Sequence, residues 1–365
     1  MISQEEVCKV LKRYDLDNLR IGTIGSHSAL DICDGAKSEG LGTVVICQRG
    51  REKTYLRYKR IVDRAIILDS FVDAVSPNIQ DELRRLNVVF VANRSFSTYI
   101  GYDSIEDDFL VPIFGNRAIL RSEERDAPRN QTYLLQKAGI ETPRIFKSPE
   151  EIDRPVIVKV PEAKRRIERA FFYASSSEDY RRKAEMRIMK GIVSETDLGR
   201  ATIEEFVMGA KFNFNYFWSP LSGEVEFLGV DRRIQTDLDG ILSLPARDQL
   251  EFESVVQNIE VGHEGATVRE SLLERVYDIG EKFAETCRRE YPPGIIGPFA
   301  LQGAIKKDLE ICIFDVSPRV PGSPIISTTS PYSRWYYGEQ MTTGRRIALE
   351  INEASRTDRL SEVVT

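Results

Sequence analysis

Histidine is almost missing from this chain of 365 residues: there are two, His27 and His263. That count excludes histidine-rich metal centres and any HExxH helix. Cysteine is scarce as well, and the five residues Cys8, Cys33, Cys47, Cys287 and Cys312 form no CxxC pair. Neither a zinc site nor a disulfide framework is expected, and reduced thiols in a cytoplasmic protein are the simpler reading. No apolar run approaches the roughly 20 residues that span a membrane. The opening MISQEEVCKVLKRYD reads as a charged amphipathic helix and not as a secretion signal. A basic surplus is missing too, with 51 Lys and Arg against 57 Asp and Glu and a net charge of -6. That balance disfavours a dedicated nucleic-acid binder but leaves room for a small basic pocket that takes a phosphorylated metabolite. No Ser-His-Asp order and no Walker A pattern occurs.

What is present is periodic. LRIGTIG (19–25) reads as a buried strand, the following segment carries Leu30, Cys33 and Ala36 at helical spacing, and TVVICQ (43–48) is a second buried strand. Strand, tight turn, helix, strand is a βαβ unit, so a parallel, doubly wound sheet is expected. AIILD (65–69) and VVFVAN (88–93) fit further strands, with a helix from Ile79 to Leu86 between them. In such sheets the loops after the strands hold ligands, and here they contain Ser26, His27 and Ser28, then Asn93, Arg94 and Ser95. Beyond Asp153 the texture becomes antiparallel: strands at 156–160, 170–175, 201–207, 211–219 and 224–233, helices at 177–190 and 195–200, and the longest helix at 267–290. A hairpin of 299–305 with 310–317 and a last helix from Gly338 to Ala354 complete an α/β region followed by an α+β region.

Several side chains stand where chemistry could use them. Lys159 ends an apolar strand and is costly to bury unless it meets an anion, a carboxylate or solvent. Glu204, Glu205, Phe206 and Val207 end another strand, a hinge that offers backbone groups to an adenine and a carboxylate to a ribose. Gln302 and Asp315 fall on neighbouring strands of the hairpin. Oxygen donors from two strands suit Mg²⁺, whereas a merely solvated hairpin face is the bland alternative. Arg319 follows four residues later, available to a phosphoryl group. His27 precedes a helix start that favours phosphate, although a lone loop histidine is often only a turn residue. His263, in the mobile-looking segment VGHEG, carries little weight alone. Lys164, Arg165, Arg166 and Arg169 form either a solvated face or an electrostatic lid over polyphosphate.

Lys159, the hinge 204–207, and Gln302 with Asp315 ahead of an arginine occur in the order of an ATP-grasp domain. Over almost its whole length the chain resembles the archaeal PurP family of formate-dependent FAICAR synthetases. The resemblance rests on IGSHSALDICDGAKSEG, LVPIFGNRAILR, VIVKVPEAK, IEEFVMGAKFNF, LPARDQLE, VRESLLERV, PPGIIGPFALQ and GRRIALEI. It implies an α/β preATP-grasp (Rossmann-like) domain at 1–123, then an α+β ATP-grasp domain at 124–365 with a small lid at about 140–208. It implies ATP with Mg²⁺ (Mn²⁺ as a substitute), and formylation of AICAR in purine biosynthesis through formyl phosphate. By that resemblance Lys159, Glu204, Glu205, Phe206, Val207 and Gln235 bind the nucleotide, and Gln302 and Asp315 bind the metal. Arg319 and His27 act in catalysis, while His27, Ser95 and His263 contact AICAR, His263 standing where the family pattern has an asparagine. A homo-oligomer is expected by the same analogy.

Departures from the family pattern cluster at the site. EAKRRIERAFF (162–172) replaces a glycine-rich loop, Gln235 stands in for a glutamate, Asp315 for the metal glutamate, and Ser317, Pro318 and VPGSPIIST (320–328) for other site residues. They define a second expectation: a catalytically weak or inactive paralogue that binds nucleotide or an AICAR-like ligand as a regulatory or assembly subunit, including hetero-assembly with an authentic synthetase.

Overall fold

The computed structural model describes residues 1–160, 171–249, 259–322 and 330–365. The basic loop Lys164–Arg169, most of the glycine-free stretch 162–172, and residues 323–328 lie outside the described residues.

The first sheet contains β1 (Arg20–Ile24), β2 (Gly42–Gln48), β3 (Arg64–Leu68), β4 (Val88–Val91) and β5 (Ile113–Phe114) in the order β3-β2-β1-β4-β5. Every pairing is parallel, as the βαβ pattern predicts. β4 is buried at all four positions, which is why VVFV shows no polar alternation. The N-terminal helix Gln4–Leu11 is fixed by a capping box in which Ser3 and Glu6 satisfy each other's backbone amides.

A smaller antiparallel sheet contains β6 (Ile145–Phe146), β7 (Val156–Lys159), β8 (Phe171–Ala174) and β9 (Thr202–Glu205) in the order β6-β9-β7-β8. The helix Ser177–Met189 covers it, packing Tyr180 and Ala184 on Phe172 and Val158. The third sheet, also antiparallel, contains β10 (Ala210–Ser219), β11 (Glu224–Gln235), β12 (Glu260–Ala266), β13 (Gly297–Ile305) and β14 (Ile311–Ser317). Its order is β12-β11-β10-β13-β14. The helix Leu273–Glu290 buries Val276, Phe283, Ala284 and Cys287 against this sheet. Among the described residues no helix is long and apolar enough to cross a membrane.

Three expectations are corrected. VGHEG, expected as a mobile segment, is part of β12, which completes the hydrogen bonding of β11 at the sheet edge. The long helix starts at Leu273, after a single 3₁₀ turn at Glu270–Leu272, and not at 267. The last long helix begins at Thr343, where Thr342 accepts from the Arg345 amide. Gly338, expected to open it, instead closes the short helix Tyr332–Tyr337 in the left-handed conformation at φ +74°.

The chain then returns to its beginning. The helix Thr343–Arg356 packs on the helix Ala29–Ser38 so closely that a Cβ on Gly35 would lie 2.0 Å from the Arg345 nitrogen. A Cβ on Gly344 would lie 2.1 Å from the Asp31 carbonyl oxygen. Only glycine permits that approach. The Asp31 carboxylate accepts from the Gly344 amide at 2.9 Å, capping one helix with a side chain of the other. Val364 bridges to Phe114, and one core cluster joins Ile21, Ile32 and Val91 to Phe217, Ile347 and Ile351. The parallel sheet and the large antiparallel sheet therefore share a core.

Candidate functional site

Strand register brings the polar residues of the large sheet into one row. Asp231 on β11 lies opposite Asn213 on β10, Asn213 opposite Gln302 on β13, and Gln302 opposite Asp315 on β14. Directly opposed residues share a face, so the expected coincidence of Gln302 and Asp315 is present. A bulge follows Gln302, where β14 carries Phe314 as an extra residue. Gln302 is buried and Asp315 half-buried.

At the β14 end the row meets Lys159. Its Nζ lies 2.6 Å from Glu204 Oε1, both side chains being about nine-tenths buried. Ile157 opposes Glu204 across β7 and β9, which makes Lys159 the diagonal neighbour on the same face. Of the three partners open to Lys159, a carboxylate is the one found. Burial pushes the Glu204 carboxyl upward, Lys159 pulls it down, and the negative charge of Asp315 adds to the rise. Lys159 also sits 5.8 Å from the Phe314 ring centre. Glu205 faces the other way, toward the Arg144 amide and the Arg154 guanidinium. Phe206 meets Tyr173 edge-on at 5.0 Å, with Lys211 Nζ 4.8 Å from its ring centre. Val207 is buried with Ala304 and Cys312. Gln235 is half-buried at the end of β11, where its amide donates to Asp239.

Arg319 lies just past β14. Its Nη2 pairs with Glu123 at 2.8 Å and its Nη1 donates to the Val320 carbonyl, while its Nε is buried with no hydrogen-bond partner among the described residues. Burial raises the Glu123 carboxyl against the pull of Arg319 and Arg94, and Asp315 contributes a like charge. Asp315 is thus the electrostatic neighbour of both the Lys159–Glu204 pair and the Arg319–Glu123 pair.

The segment after Arg319 joins the two regions. Val320 forms a parallel bridge with Asn93, and the Ser28 hydroxyl donates to the Pro321 carbonyl at 2.6 Å. Asn93 caps the helix Arg94–Ile100, in which Ser95 is buried, and its amide donates to the Ile24 and Ser26 carbonyls. His27 comes next in the same turn. Its Nε2 lies 3.6 Å from Glu260 Oε1, which is 2.9 Å from His263 Nε2. His263 Nδ1 is 2.6 Å from Asp231 Oδ2, returning to the row on the large sheet. His27 and His263, 236 positions apart in sequence, therefore meet the same carboxylate. Asn213 and Asn215 each donate to Asp231 at 2.6 Å, and Arg233 pairs with Glu260 at 2.8 Å.

Asp231, Glu260, Asn213, Asn215, Glu123 and Lys211 were not singled out from sequence. A signal existed for two of them: in KFNFNYF the asparagines alternate with aromatics in a strand too apolar to be solvated. Among the described residues no group of three or more His, Cys, Asp or Glu is arranged to hold a metal. The Gln302–Asp315 pair nevertheless fits Mg²⁺, a hard cation that takes one or two carboxylates and completes its shell with water and phosphate oxygens.

Comparison with known proteins gives the chain's relatives. A family model described as a domain of unknown function (DUF1297) matches residues 179–365, and one described as a protein of unknown function (DUF1246) matches residues 21–146. The 5-formaminoimidazole-4-carboxamide-1-(beta)-D-ribofuranosyl 5'-monophosphate synthetase of Methanopyrus kandleri is 44% identical over 366 residues, covering 100% of both chains. The protein of the same name from Methanocaldococcus jannaschii is 41% identical with the same coverage. Among solved structures, the IMP biosynthesis protein PurP from Thermococcus kodakaraensis superposes with a TM-score of 0.72 at 29% identity, covering 94% of this chain and 100% of that one. An ADP complex of N5-carboxyaminoimidazole ribonucleotide synthetase reaches a TM-score of 0.61 at 14% identity, over 89% of this chain and 79% of that one, a likeness of fold.

Proposed function

The chain belongs to the FAICAR synthetase family, and on that premise we propose that it joins formate to the exocyclic amine of AICAR at the expense of ATP. Its fold is the α/β domain followed by an ATP-grasp domain. The observation that carries the reading is identity of 44% running the full length of both chains. The reading of a subunit without catalysis is not favoured, because the full-length relatives above are named as synthetases.

Formate acylates nothing until one of its oxygens becomes part of a leaving group. In this reading a formate oxygen attacks the γ-phosphorus of ATP, the β,γ-bridging bond breaks, and ADP and formyl phosphate result. The AICAR amine then attacks the formyl carbon, the C–N bond forms, phosphate departs, and the amine nitrogen gives up a proton. Phosphoryl transfer asks the protein mainly for position and positive charge. Lys159 supplies charge to the nucleotide phosphates, with Glu204 holding its ammonium in place until they arrive. Glu205, Phe206 and Val207 form the hinge against the adenosine, with Gln235 near the nucleotide. Gln302 and Asp315 would hold Mg²⁺, which supplies positive charge to the polyphosphate. Arg319 meets the transferring phosphoryl group. His27, Ser95 and His263 contact AICAR where the two regions join. A homo-oligomer belongs to the same reading.

The test is ADP release from Mg-ATP with AICAR, with and without formate, alongside detection of FAICAR. Formate-dependent ADP with matching FAICAR is expected. ADP release indifferent to formate, or none from folded protein, overturns the reading.

A further inference from the structure

The linkage between the two histidines has more carboxylate than simple substrate contact requires. Glu260 Oε1 faces both rings, at 3.6 Å from His27 Nε2 and 2.9 Å from His263 Nε2, and its other oxygen meets Arg233. Asp231, fully buried, takes the second nitrogen of His263 and is itself fixed by two asparagine amides. Both nitrogens of the His263 ring therefore face carboxylate oxygens, an arrangement that only a doubly protonated ring satisfies with two donated hydrogen bonds. Gly322 leaves the space between the rings clear: a Cβ there would lie 2.9 Å from His27 Nε2 and 3.4 Å from His263 Nε2.

We propose that Glu260 is a positioning residue for the nucleotide substrate, bridging His27 of the α/β region to His263 of the large sheet and, with Asp231, holding His263 as a fixed cation for the phosphate monoester. The inference rests on the reading that this junction takes AICAR. The charged and titratable groups facing His263 are Asp231 and Arg233 on β11, Glu260 on β12 and His27 on the loop after β1. Two carboxylates balance one guanidinium and one imidazolium. Loss of the His263 proton leaves a net negative charge beside a phosphate dianion. Burial works against that proton, but the hydrogen bonds to Asp231 and Glu260 outweigh it, and His263 is pushed up to about 9.

The experiment measures KM for AICAR and kcat from pH 6.5 to 10 for the wild type, Glu260→Gln, Glu260→Asp and His263→Asn, with ring ¹H–¹⁵N spectra of the two histidines on the same proteins. In the wild type KM should hold steady near neutrality and rise about tenfold through pH 9, as the imidazolium charge beside the phosphate is lost, with kcat little changed. His263→Asn keeps a donor toward Asp231 but cannot titrate, so its KM should be raised and flat with pH. Glu260→Gln should raise KM for AICAR at neutral pH and lower the pH at which the His263 ring titrates, leaving KM for ATP alone, and Glu260→Asp should recover part of the loss. Unchanged AICAR affinity and ring titration in folded Glu260→Gln overturns the proposal. If Glu260→Gln does not fold, Gly322→Ala disturbs the same pair of rings and should raise KM for AICAR but not for ATP; no change there overturns it equally. Should the wild type make no FAICAR, the proposed function falls, and ring-signal shifts on adding AICAR then decide the clamp by themselves.

Discussion

Gly35→Ala should destabilise the protein although it places a better helix former inside a helix. In an exposed helix interior the change would gain about 1 kcal/mol from backbone propensity. Here the new methyl would lie 2.0 Å from the Arg345 nitrogen and 2.1 Å from the Gly344 carbonyl carbon. Both distances fall more than an ångström short of the 3.4 Å at which ordinary contact begins, and both atoms are backbone. The helices must separate. Overpacking of that kind costs about 1–3 kcal/mol, and separation also stretches the 2.9 Å bond by which Asp31 caps the Gly344 amide, worth about 1 kcal/mol more. The two costs outweigh the propensity gain, leaving a net loss of about 1–3 kcal/mol and a fall in Tm of roughly 1–4 °C. The helix Ala29–Ser38 begins two residues after His27, so its displacement should also raise KM for AICAR. Thermal unfolding and the FAICAR assay read the two effects. A Gly35→Ala protein as stable as the wild type, or more so, would refute the close contact between the two helices.

Asp31 should make stability rise on acidification. Burial pushes its carboxyl up to about 6, so the ionised form costs the folded state roughly 3 kcal/mol at neutral pH, a penalty removed as pH falls from above 6 toward 4. Urea unfolding at a series of pH values should show that slope in the wild type and a loss of it in Asp31→Asn. Arg346→Met should cost about 3–5 kcal/mol in the same assay, because it strands Glu226 and Glu350, paired with the guanidinium at 2.7 and 2.9 Å, in a buried site over Phe217. A loss below about 1 kcal/mol would mean that water reaches those carboxylates. Asp315→Ala should reduce formate-dependent ADP release about a hundredfold or more while Asp315→Glu retains activity, since the glutamate preserves the carboxylate that a hard cation needs; equal rates in all three would remove Asp315 from the metal site.

The strands legible in the sequence were those whose burial left a compositional mark. TVVICQ and VVFVAN are β-branched runs, and the parallel sheet they form follows from the helices between them. β12 left no such mark. EVGHEGA holds two glycines and two acids with no apolar alternation, and it is a strand because β11 has backbone groups to satisfy at that edge. Site residues divided along the same line. Lys159, Gln302, Asp315 and Arg319 stand at strand ends or in a hairpin, where local sequence fixes register. Asp231 matters through Asn213, Asn215 and His263 on neighbouring strands, and Glu260 through Arg233 and the distant His27, contacts that no local pattern encodes; Glu260 reads as an ordinary acid until β12 turns it toward both histidines.

One short segment sets the distance between the two halves of the chemistry. Asp315, proposed as a metal ligand, and Gly322, between the histidine rings, are separated by seven peptide steps, at most roughly 25 Å of extended chain. Pro318 and Pro321 stiffen that stretch by fixing two of its φ angles. Along it Arg319 is anchored by Glu123, Val320 by Asn93, and Pro321 by the Ser28 hydroxyl, so three successive residues are tied to elements of the first 123 residues. In the proposed reaction, ATP on the ATP-grasp sheet and the formyl-accepting amine in the loops of the parallel sheet would otherwise drift apart with every small rotation between the two sheets. Tying the continuation of β14 to the strand ends of the other sheet makes such a rotation carry both partners together. That is the preorganisation that an in-line transfer followed by an amine attack requires.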